Sequence, residues 1–294
     1  MDFASTLKDR VQAINGILDA YLPPVEGPQA QVIEAMNYAV RAGGKHIRPL
    51  LMQETHKLLG GQSPALPAFM AALEFIHNYS LIHDDLPAMD NDDFRRGQPT
   101  VHKAYGEALA ILAGDGLLNL AFETTSQALT LDDPPKTSKA LQVLAQKAGI
   151  YGMIGGQVVD IQTEGQSIDL ETLLFIHQLK CGALFEAAME IGAILAGASA
   201  EEEKNIEAIA ADLGLAFQIQ DDILDVTSNL EALGKASHAD AALGKNTYVS
   251  LMGLDKAKEE VSRLTDKALK QLRSLPQTNN FLENLILALC GRAY

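Results

Sequence analysis

The sequence predicts an all-α protein that folds as one large helical bundle. Apolar residues recur at spacings of three and four through most of the chain, which is the repeat of a helix with a buried face. Alanine and leucine, which favour helices, are frequent, and no convincing run of alternating polar and apolar residues predicts a strand. No segment rich in proline, glycine and serine divides the chain, so we expect a single domain over residues 1–294.

Five segments show the helical repeat most clearly. They are 32–43, 67–83, 107–129, 170–197 and 204–226. Several of them are apolar on nearly every side, as the central helices of a large bundle are. Prolines stand mostly between the segments and predict where helices end. Given typical helix lengths, we expect roughly ten or more helices.

The composition narrows the possible classes of function. Hydrophobic residues make up 47% of the 294 residues, and the formal net charge is −15, which argues against nucleic acid or an anionic membrane as the main partner. The first residues lack the basic and apolar regions of a secretory signal, and no apolar run approaches the ~20 residues of a membrane span. Cys181 and Cys290 show no metal spacing. We therefore expect a soluble, cytoplasmic protein.

Residues 84–97, DDLPAMDNDDFRRG, place five aspartates within ten residues directly after an apolar helix. Such a cluster at the end of a buried helix is costly unless a cation neutralises it. Pro87 would clash with the carbonyl four residues earlier in a continuous helix, so the helix should kink or end near Asp84 and Asp85. That ending leaves Asp90 free to fold back towards them.

A second aspartate cluster lies in 217–226, FQIQDDILDV. Asp221 and Asp225 are four residues apart and share a helix face, whereas Asp222 is turned about 100° away. Oxygen ligands without a nearby cysteine or histidine cage suit Mg²⁺, which typically takes one or two carboxylates and shares the phosphates of a substrate. Two exposed acidic helix ends are the alternative, but two similar clusters after apolar helices favour the metal.

The basic residues are few, and several stand in loops or beside glycines. Six of them do so: Lys45, Arg48, Arg95, Arg96, Lys235 and Lys245. The arginine fork suits phosphate oxygens, and lysine supplies a point charge. Each residue alone is more often a solvated surface group. Together with ligands for Mg²⁺, they predict a site for diphosphates.

These motifs, in this order, resemble the short-chain trans-prenyl diphosphate synthases, and within that family most closely the bacterial farnesyl diphosphate synthases. The segments that carry the resemblance are GGKHIRP, HNYSLIHDDLPAMDNDDFRRGQPT, GGQVVD, KCGAL, FQIQDDILD and LGKNTY. The resemblance covers nearly the whole chain and implies an all-α fold around a deep central cavity, usually in a homodimer. It also implies the condensation of isopentenyl diphosphate with an allylic diphosphate, either dimethylallyl or geranyl diphosphate.

The resemblance implies a role for individual residues as well. Three Mg²⁺ ions would hold the allylic diphosphate, and their ligands would be Asp84, Asp90 and Asp221. The catalytic set is Asp84, Asp85, Asp90, Lys180, Gln218, Asp221 and Lys235. The allylic diphosphate would contact Arg95, Lys180 and Lys235. Isopentenyl diphosphate would contact Lys45, Arg48, His77 and Arg96. Gln218 and the carbonyl of Lys180 would face the allylic cation, and Cys181 and Lys245 complete the substrate-binding set.

Some positions depart from the pattern of the family. His46 stands where arginine is usual, and this neighbour of Lys45 is not expected to touch phosphate. Cys181 stands where threonine is usual, which calls one hydroxyl contact near the allylic diphosphate into question. The C-terminus, LALCGRAY, lacks the usual branched-aliphatic run before a terminal arginine, and Arg292 would take the part of that arginine.

Tyr79 predicts the length of the product. It lies five residues before Asp84 on the same apolar helix, or roughly 7–8 Å deeper at about 1.5 Å per residue. Because the diphosphate is held at the aspartates, the growing tail should pass this depth and meet the ring, whereas Ser80 is too small to stop it. An aromatic residue at this position, together with the spacing in DDLPAMD, resembles the bacterial farnesyl type, and this resemblance implies a fifteen-carbon product. The alternative is an ordinary core aromatic, with the floor set elsewhere, for example by a dimer neighbour.

Three other interpretations stay open at this point. A class I terpene cyclase also has an aspartate motif, but its second metal motif is usually of the Asn/Ser/Glu type. His83 and Asp84 form the dyad of an HD-type phosphohydrolase, which would need further histidine ligands. A non-catalytic subunit of a heteromeric prenyl synthase usually loses aspartates that are intact here.

Overall fold

The computed structural model describes residues 2–233 and 246–291, and within these ranges the chain is mostly helical, with one two-stranded ribbon. This confirms the all-α prediction. The helices are α1 (Phe3–Tyr21), α2 (Ala30–Arg41), α3 (Ile47–Leu58), α4 (Leu66–Asp84), α5 (Val101–Tyr105), α6 (Glu107–Ala128), α7 (Pro134–Ala148), α8 (Met153–Gln162), α9 (Leu170–Ile176), α10 (Ala183–Ala196), α11 (Ala200–Leu233), α12 (Tyr248–Met252), α13 (Leu254–Arg273) and α14 (Asn280–Leu289). No helix in the described ranges combines the length and the apolar character needed to cross a membrane.

The chain divides into two compact units. The first contains the residues up to Gln142 together with Ile194–Gly197, and the second contains Val143–Ala193 and the residues from Ala198 onwards. In the first unit, α4 packs against α1, α2, α3 and α6. In the second, α11 packs against α12 and α13. The single domain around a deep central cavity stays a prediction.

Helix α4 is buried on nearly all sides, as its apolar sequence predicts. Phe69, Leu73, Phe75 and Ile76 have no exposed surface. The helix approaches α6 closely at Gly114, where an added Cβ atom would lie 2.1 Å from Nε2 of His83. The burial explains why α4 can place side chains at defined depths: each of its positions is fixed by packing on several sides.

A short antiparallel ribbon follows α4. Strand β1 (Phe94–Arg95) pairs with β2 (Gln98–Pro99). Between them, Arg96 and Gly97 have φ angles of 53° and 77°, and a positive φ at both positions is typical of a type I′ hairpin turn. Strands of two residues are too short to produce an alternating pattern, which is why the sequence predicts no strand here.

The segment 170–197 contains a π-helical turn, His177–Gly182, between α9 and α10. The sequence predicts one continuous helix there, because a single wide turn hardly disturbs the apolar repeat. Two glycines lie against the backbone of this turn. A Cβ atom on Gly156 of α8 would lie 2.2 Å from the backbone nitrogen of Lys180, and one on Gly214 of α11 would lie 3.0 Å from Cα of Gly182. Single π turns often mark functional sites.

The close approach at Gly156 predicts that Gly156→Ala destabilises the protein. The added methyl group meets backbone atoms that cannot rotate away, so we expect the free energy of unfolding to fall by about 1–3 kcal/mol. Gly16→Ala in α1 is the matched control, because a Cβ atom there has no neighbour within 4 Å. That change should be neutral or stabilise by about 0.5–1 kcal/mol. Chemical denaturation measures both variants, and a Gly156→Ala protein as stable as the wild type would contradict the close approach.

Candidate active site

The first aspartate cluster lies where α4 ends. The helix stops at Asp84, one position before the C-cap residue Asp85. Pro87 follows, and the chain turns so that the backbone N–H of Asp90 donates to the carbonyl of Asp84 at 2.8 Å. The expected helix end and the return of Asp90 are thereby confirmed. The turn brings the backbone of the third aspartate of the motif back to the first.

Asp85 holds the guanidinium group of Arg95. Nε of Arg95 lies 2.9 Å from both carboxylate oxygens, and Nη2 lies 2.6 Å from Oδ1. Asp85 is only 3% exposed, and its hydrogen bond raises the pKa of Arg95. A buried bidentate pair of this kind fixes the direction of the side chain as well as its charge. Arg95 is therefore held at the aspartate end of α4.

The adjacent Arg96 points to a different place. Its Nη1 donates to the carbonyl of Gly43, in the turn that precedes α3. Gly44 makes this approach possible, because a Cβ atom there would lie 2.9 Å from Cζ of Arg96. In the same region, Nη1 of Arg48 lies 3.3 Å from Nε2 of His77, and Lys45 is exposed on the turn. The first unit thus places Lys45, Arg48, His77 and Arg96 around one turn.

Burial sets the charge states behind this turn. Burial, and then the charge of Arg48, hold the pKa of His77 well below its ordinary value, so the imidazole is neutral at neutral pH and can accept from Arg48. Burial alone would raise the pKa of Glu74, but the hydrogen bond with His46, together with the charge of Arg48, lowers it to about 2. Glu74 is therefore an ionised carboxylate inside the first unit.

Tyr79 lies on the same helix, between His77 and Asp84. It is 6% exposed, and its ring meets the ring of His83 edge to face at a centroid distance of 5.8 Å. Its buried hydroxyl group has no hydrogen-bond partner, and burial followed by the charge of Asp84 raises its pKa to about 12. Ser80 donates its hydroxyl to the carbonyl of His77 at 2.8 Å. Tyr79 thus places a buried ring on this part of α4, and the hydroxyl of Ser80 is bonded to the backbone of its own helix.

In the second unit, Lys180 stands in the π turn. Its Nζ donates to Oδ2 of Asp160 in α8 at 2.6 Å. Asp160 lies four residues after Gly156, so the glycine that lets α8 approach the turn and the carboxylate that meets its lysine share one helix face. Cys181 follows Lys180 and is half-buried. Asp160 is the last residue of the segment GGQVVD and is not among the site residues predicted from the sequence; the four-residue spacing of Gly156 and Asp160 is a signal that could have identified it.

The second aspartate cluster contains a buried acceptor, Asp222. The backbone N–H of Tyr248 donates to its Oδ2 at 2.7 Å, and Nε2 of His177 lies 3.6 Å from the same oxygen. Burial raises the pKa of Asp222 to about 6, with the charges of Asp225 and Asp221 adding to the rise and hydrogen bonds from Tyr248 and Gln218 opposing it. Asp222 therefore binds the first residue of α12 through its backbone N–H.

The two aspartate clusters share one pattern of exposure. In each adjacent pair the first aspartate is half-buried and the second is buried with protein partners, while the third aspartate of the motif is exposed. The half-buried members are Asp84 and Asp221, the buried members are Asp85 and Asp222, and the exposed members are Asp90 and Asp225. Such a division suits a site in which some carboxylates bind a ligand and their neighbours hold other groups of the protein in place.

Three of the predicted site residues fall outside the described ranges. They are Lys235, Lys245 and Arg292. Within 2–233 and 246–291, no three histidine, cysteine, aspartate or glutamate side chains are arranged so that they could hold a metal by themselves.

A comparison with models of known protein families assigns the chain to one of them. The model of the family described as polyprenyl synthetase matches residues 29–284. The chain belongs to the polyprenyl synthetase family. The resemblance stated from its motifs is confirmed, and membership in this family sets aside the HD-type phosphohydrolase.

Two curated relatives of this polyprenyl synthetase are equally similar in sequence. It is 44% identical to the farnesyl diphosphate synthase of Escherichia coli (strain K12), over 94% of this chain and 93% of that protein. It is also 44% identical to the chloroplastic heterodimeric geranylgeranyl pyrophosphate synthase large subunit 1 of Arabidopsis thaliana, over 92% of this chain and 74% of that protein. Overall identity therefore does not distinguish the two product lengths.

A solved structure is similar in fold. It is a geranyltransferase from Helicobacter pylori complexed with magnesium and isoprenyl diphosphate, which is 33% identical to this polyprenyl synthetase. The TM-score is 0.82, with 99% of this chain and 97% of that chain covered.

The charge state of Glu74 predicts how stability depends on pH. A carboxylate with a pKa of about 2 in the folded state and 4.5 as its ordinary value stabilises the fold fully above pH 4.5, and this contribution is lost as the pH falls towards 2. Glu74→Gln should therefore lower the free energy of unfolding at pH 7 by up to about 3 kcal/mol. Denaturation at a series of pH values should show the gap closing between pH 4.5 and 2. A gap that is independent of pH would contradict the ionised state.

Proposed function

We propose that this polyprenyl synthetase condenses isopentenyl diphosphate with dimethylallyl and then geranyl diphosphate to give farnesyl diphosphate. The observation that carries the proposal is the arrangement along α4. The helix ends in a carboxylate turn with Arg95 bound to it, and seven residues earlier His77 meets Arg48 beside the turn of Lys45. Two separate places for anions on one helix suit an enzyme that binds two diphosphates.

The carboxylates fit Mg²⁺. This ion typically takes one or two protein carboxylates and completes its coordination shell with water and substrate phosphates. A site that offers each ion fewer than three protein ligands is therefore compatible with Mg²⁺. We assign Asp84 and Asp90 as ligands in the first unit and Asp221 in the second, with three ions when substrate is bound. When bound, the ions would offset the negative charge that develops on the departing diphosphate.

The basic side chains would also contact the allylic diphosphate. Asp85 fixes the guanidinium group of Arg95, and Asp160 fixes the ammonium group of Lys180, so both donors are already oriented. Donors that need no rearrangement stabilise a developing negative charge at little cost in reorganisation. Lys235, Lys245 and Cys181 are assigned to this set on the family resemblance.

The second diphosphate, that of isopentenyl diphosphate, would bind at the turn before α3. Lys45, Arg48 and Arg96 supply positive charge there, and neutral His77 supplies a hydrogen bond. Once the allylic carbon–oxygen bond breaks, the double bond of isopentenyl diphosphate attacks the allylic cation. The proton that is then lost passes to the departed diphosphate, so no protein base is required. Gln218 and the carbonyl of Lys180 would face the cation.

The length of the product rests on Tyr79. Relatives that are equally identical to this chain carry the names of farnesyl and geranylgeranyl synthases, so the floor of the cavity has to decide. A buried ring at this depth on α4, beside the ring of His83, supports a stop at fifteen carbons.

The protein is further proposed to act as a cytoplasmic homodimer. Large apolar side chains are exposed on both units, which supports an interface with a second copy. In α6 these are Ile111 and Leu112, and in α8 they are Ile154, Val158 and Ile161. The three residues of α8 recur at spacings of four and three, so they form one apolar stripe. Such stripes are typical of protein–protein interfaces.

Removal of a metal ligand tests the reaction. Asp84→Ala should lower turnover about a hundredfold or more while the protein stays folded, because several kcal/mol of charge stabilisation are lost. Purified protein is incubated with both substrates and Mg²⁺, and the dephosphorylated prenols are separated by chromatography. EDTA should abolish turnover, and added Mg²⁺ should restore it.

The matched control is Asp93→Ala in the same cluster. Asp93 is exposed and bonds to Lys103, so its loss should leave turnover close to that of the wild type. Full activity in a chelated sample would refute the role of the metal, and a wild-type protein that forms no prenol would refute the proposed function.

Tyr79→Ala tests the floor. The change opens space below the growing tail, so geranylgeranyl and longer products should appear at the expense of farnesyl. Tyr79→Phe is the control, because it keeps the ring and removes only a buried hydroxyl group without a partner. It should keep the fifteen-carbon product and equal or exceed the wild type in stability, since that hydroxyl group costs about 1–3 kcal/mol. An active Tyr79→Ala protein that still stops at fifteen carbons would place the floor elsewhere.

A further inference from the structure

The turn that carries Lys45 has a strained backbone. Gly43 and Gly44 have φ angles of 81° and 151°, and His46 has φ 44° and ψ 44°. Glycine tolerates such angles, but for a residue with a side chain the left-handed region is disfavoured and persists only where the surroundings impose it. The conformation of His46 therefore depends on what holds its side chain.

The His46 imidazole is held at both of its nitrogens. Nδ1 lies 2.8 Å from Oε1 of Glu74 in α4, and Nε2 lies 2.8 Å from Oδ1 of Asn15 in α1. The side chains of His46 and Glu74 are 0% and 2% exposed. The ring thereby ties the turn to two helices of the first unit.

Glu74 is the negative charge behind the cationic turn. Its second oxygen is buried without a hydrogen-bond partner, and the positive charge of Arg48 acts on the carboxylate. A buried carboxylate is strongly disfavoured unless cations or donors face it, so Glu74 and the cationic groups fix one another. His46 is the direct link between this carboxylate and the backbone of the turn.

We propose that His46 and Glu74 are positioning residues for isopentenyl diphosphate. Neither touches the substrate: Glu74 holds His46 in its left-handed conformation, and that conformation presents Lys45 and Arg48 to the diphosphate. This inference rests on the proposed function. The allylic site should be independent of it, because Glu74 lies ten residues before Asp84, or about 15 Å along the axis of α4.

Two variants and a matched control test the proposal in the whole protein, with Mg²⁺ and both substrates. His46→Gly leaves the backbone free to adopt a positive φ but removes the side chain that fixes it. Glu74→Gln removes the charge. His56→Gln is the control: His56 is also a buried histidine next to a turn at one end of α3, but its Nε2 accepts from the backbone N–H of Ser63 at 3.2 Å, at the opposite end of the helix.

The expected result is a change in one KM only. His46→Gly and Glu74→Gln should each raise the KM for isopentenyl diphosphate about tenfold or more, the size typical of a lost hydrogen bond to a charged group. The KM for geranyl diphosphate should stay close to that of the wild type. The double variant should be no worse than the more severe single variant, because both changes act through one turn. His56→Gln should lower the Tm and leave both KM values unchanged.

Other outcomes would overturn the proposal. Equal rises in both KM values, or a fall in kcat at unchanged KM, would give His46 and Glu74 a role in general stability and leave the proposed function intact. If Glu74→Gln does not fold, His46→Gly decides by the same criteria. A wild-type protein without turnover would overturn the proposed function and this inference with it.

Discussion

A buried carboxylate is tolerated only beside a cation or a hydrogen-bond donor, and this requirement places many of the site residues of the protein. Asp85 meets Arg95, Glu74 meets His46, and Asp222 meets the backbone N–H of Tyr248. The members of each pair are 10, 28 and 26 residues apart in the chain, and each pair fixes a segment that carries site residues. The acids of the interior are therefore part of how the site is built, including those that touch no substrate.

The same requirement gives neighbouring aspartates of each motif different roles. Neighbouring aspartates on a helix point about 100° apart, so one of them can turn inward to a protein partner while the other stays at the edge of the solvent. Asp85 and Asp222 take the inward position, and Asp84 and Asp221 the half-buried one. Helix α4 is buried on nearly all sides, and this packing fixes how deep in the protein each of its residues lies.

Much of the fold and of the site follows from local rules that a sequence contains. The apolar repeat predicts the helices, and Pro87 predicts that α4 ends at the first aspartates. The return of Asp90 to Asp84 follows from that ending. The spacing of Asp221 and Asp225 puts both on one face. These features depend on residues within about two helical turns of each other, so no knowledge of the tertiary fold is needed.

The tertiary structure alone decided which distant groups meet. His46 contacts Asn15 and Glu74, which lie 31 and 28 residues away in the chain. Lys180 meets Asp160 across 20 residues because Gly156 lets α8 approach a π turn that the apolar repeat does not reveal. The sequence determined the helices, the chemistry of the aspartates and the family. The partners of the buried charges were decided by packing. Burial makes an unpaired charge costly, and the groups that can pair with it are those that the fold places beside it, which need not be its neighbours in the chain.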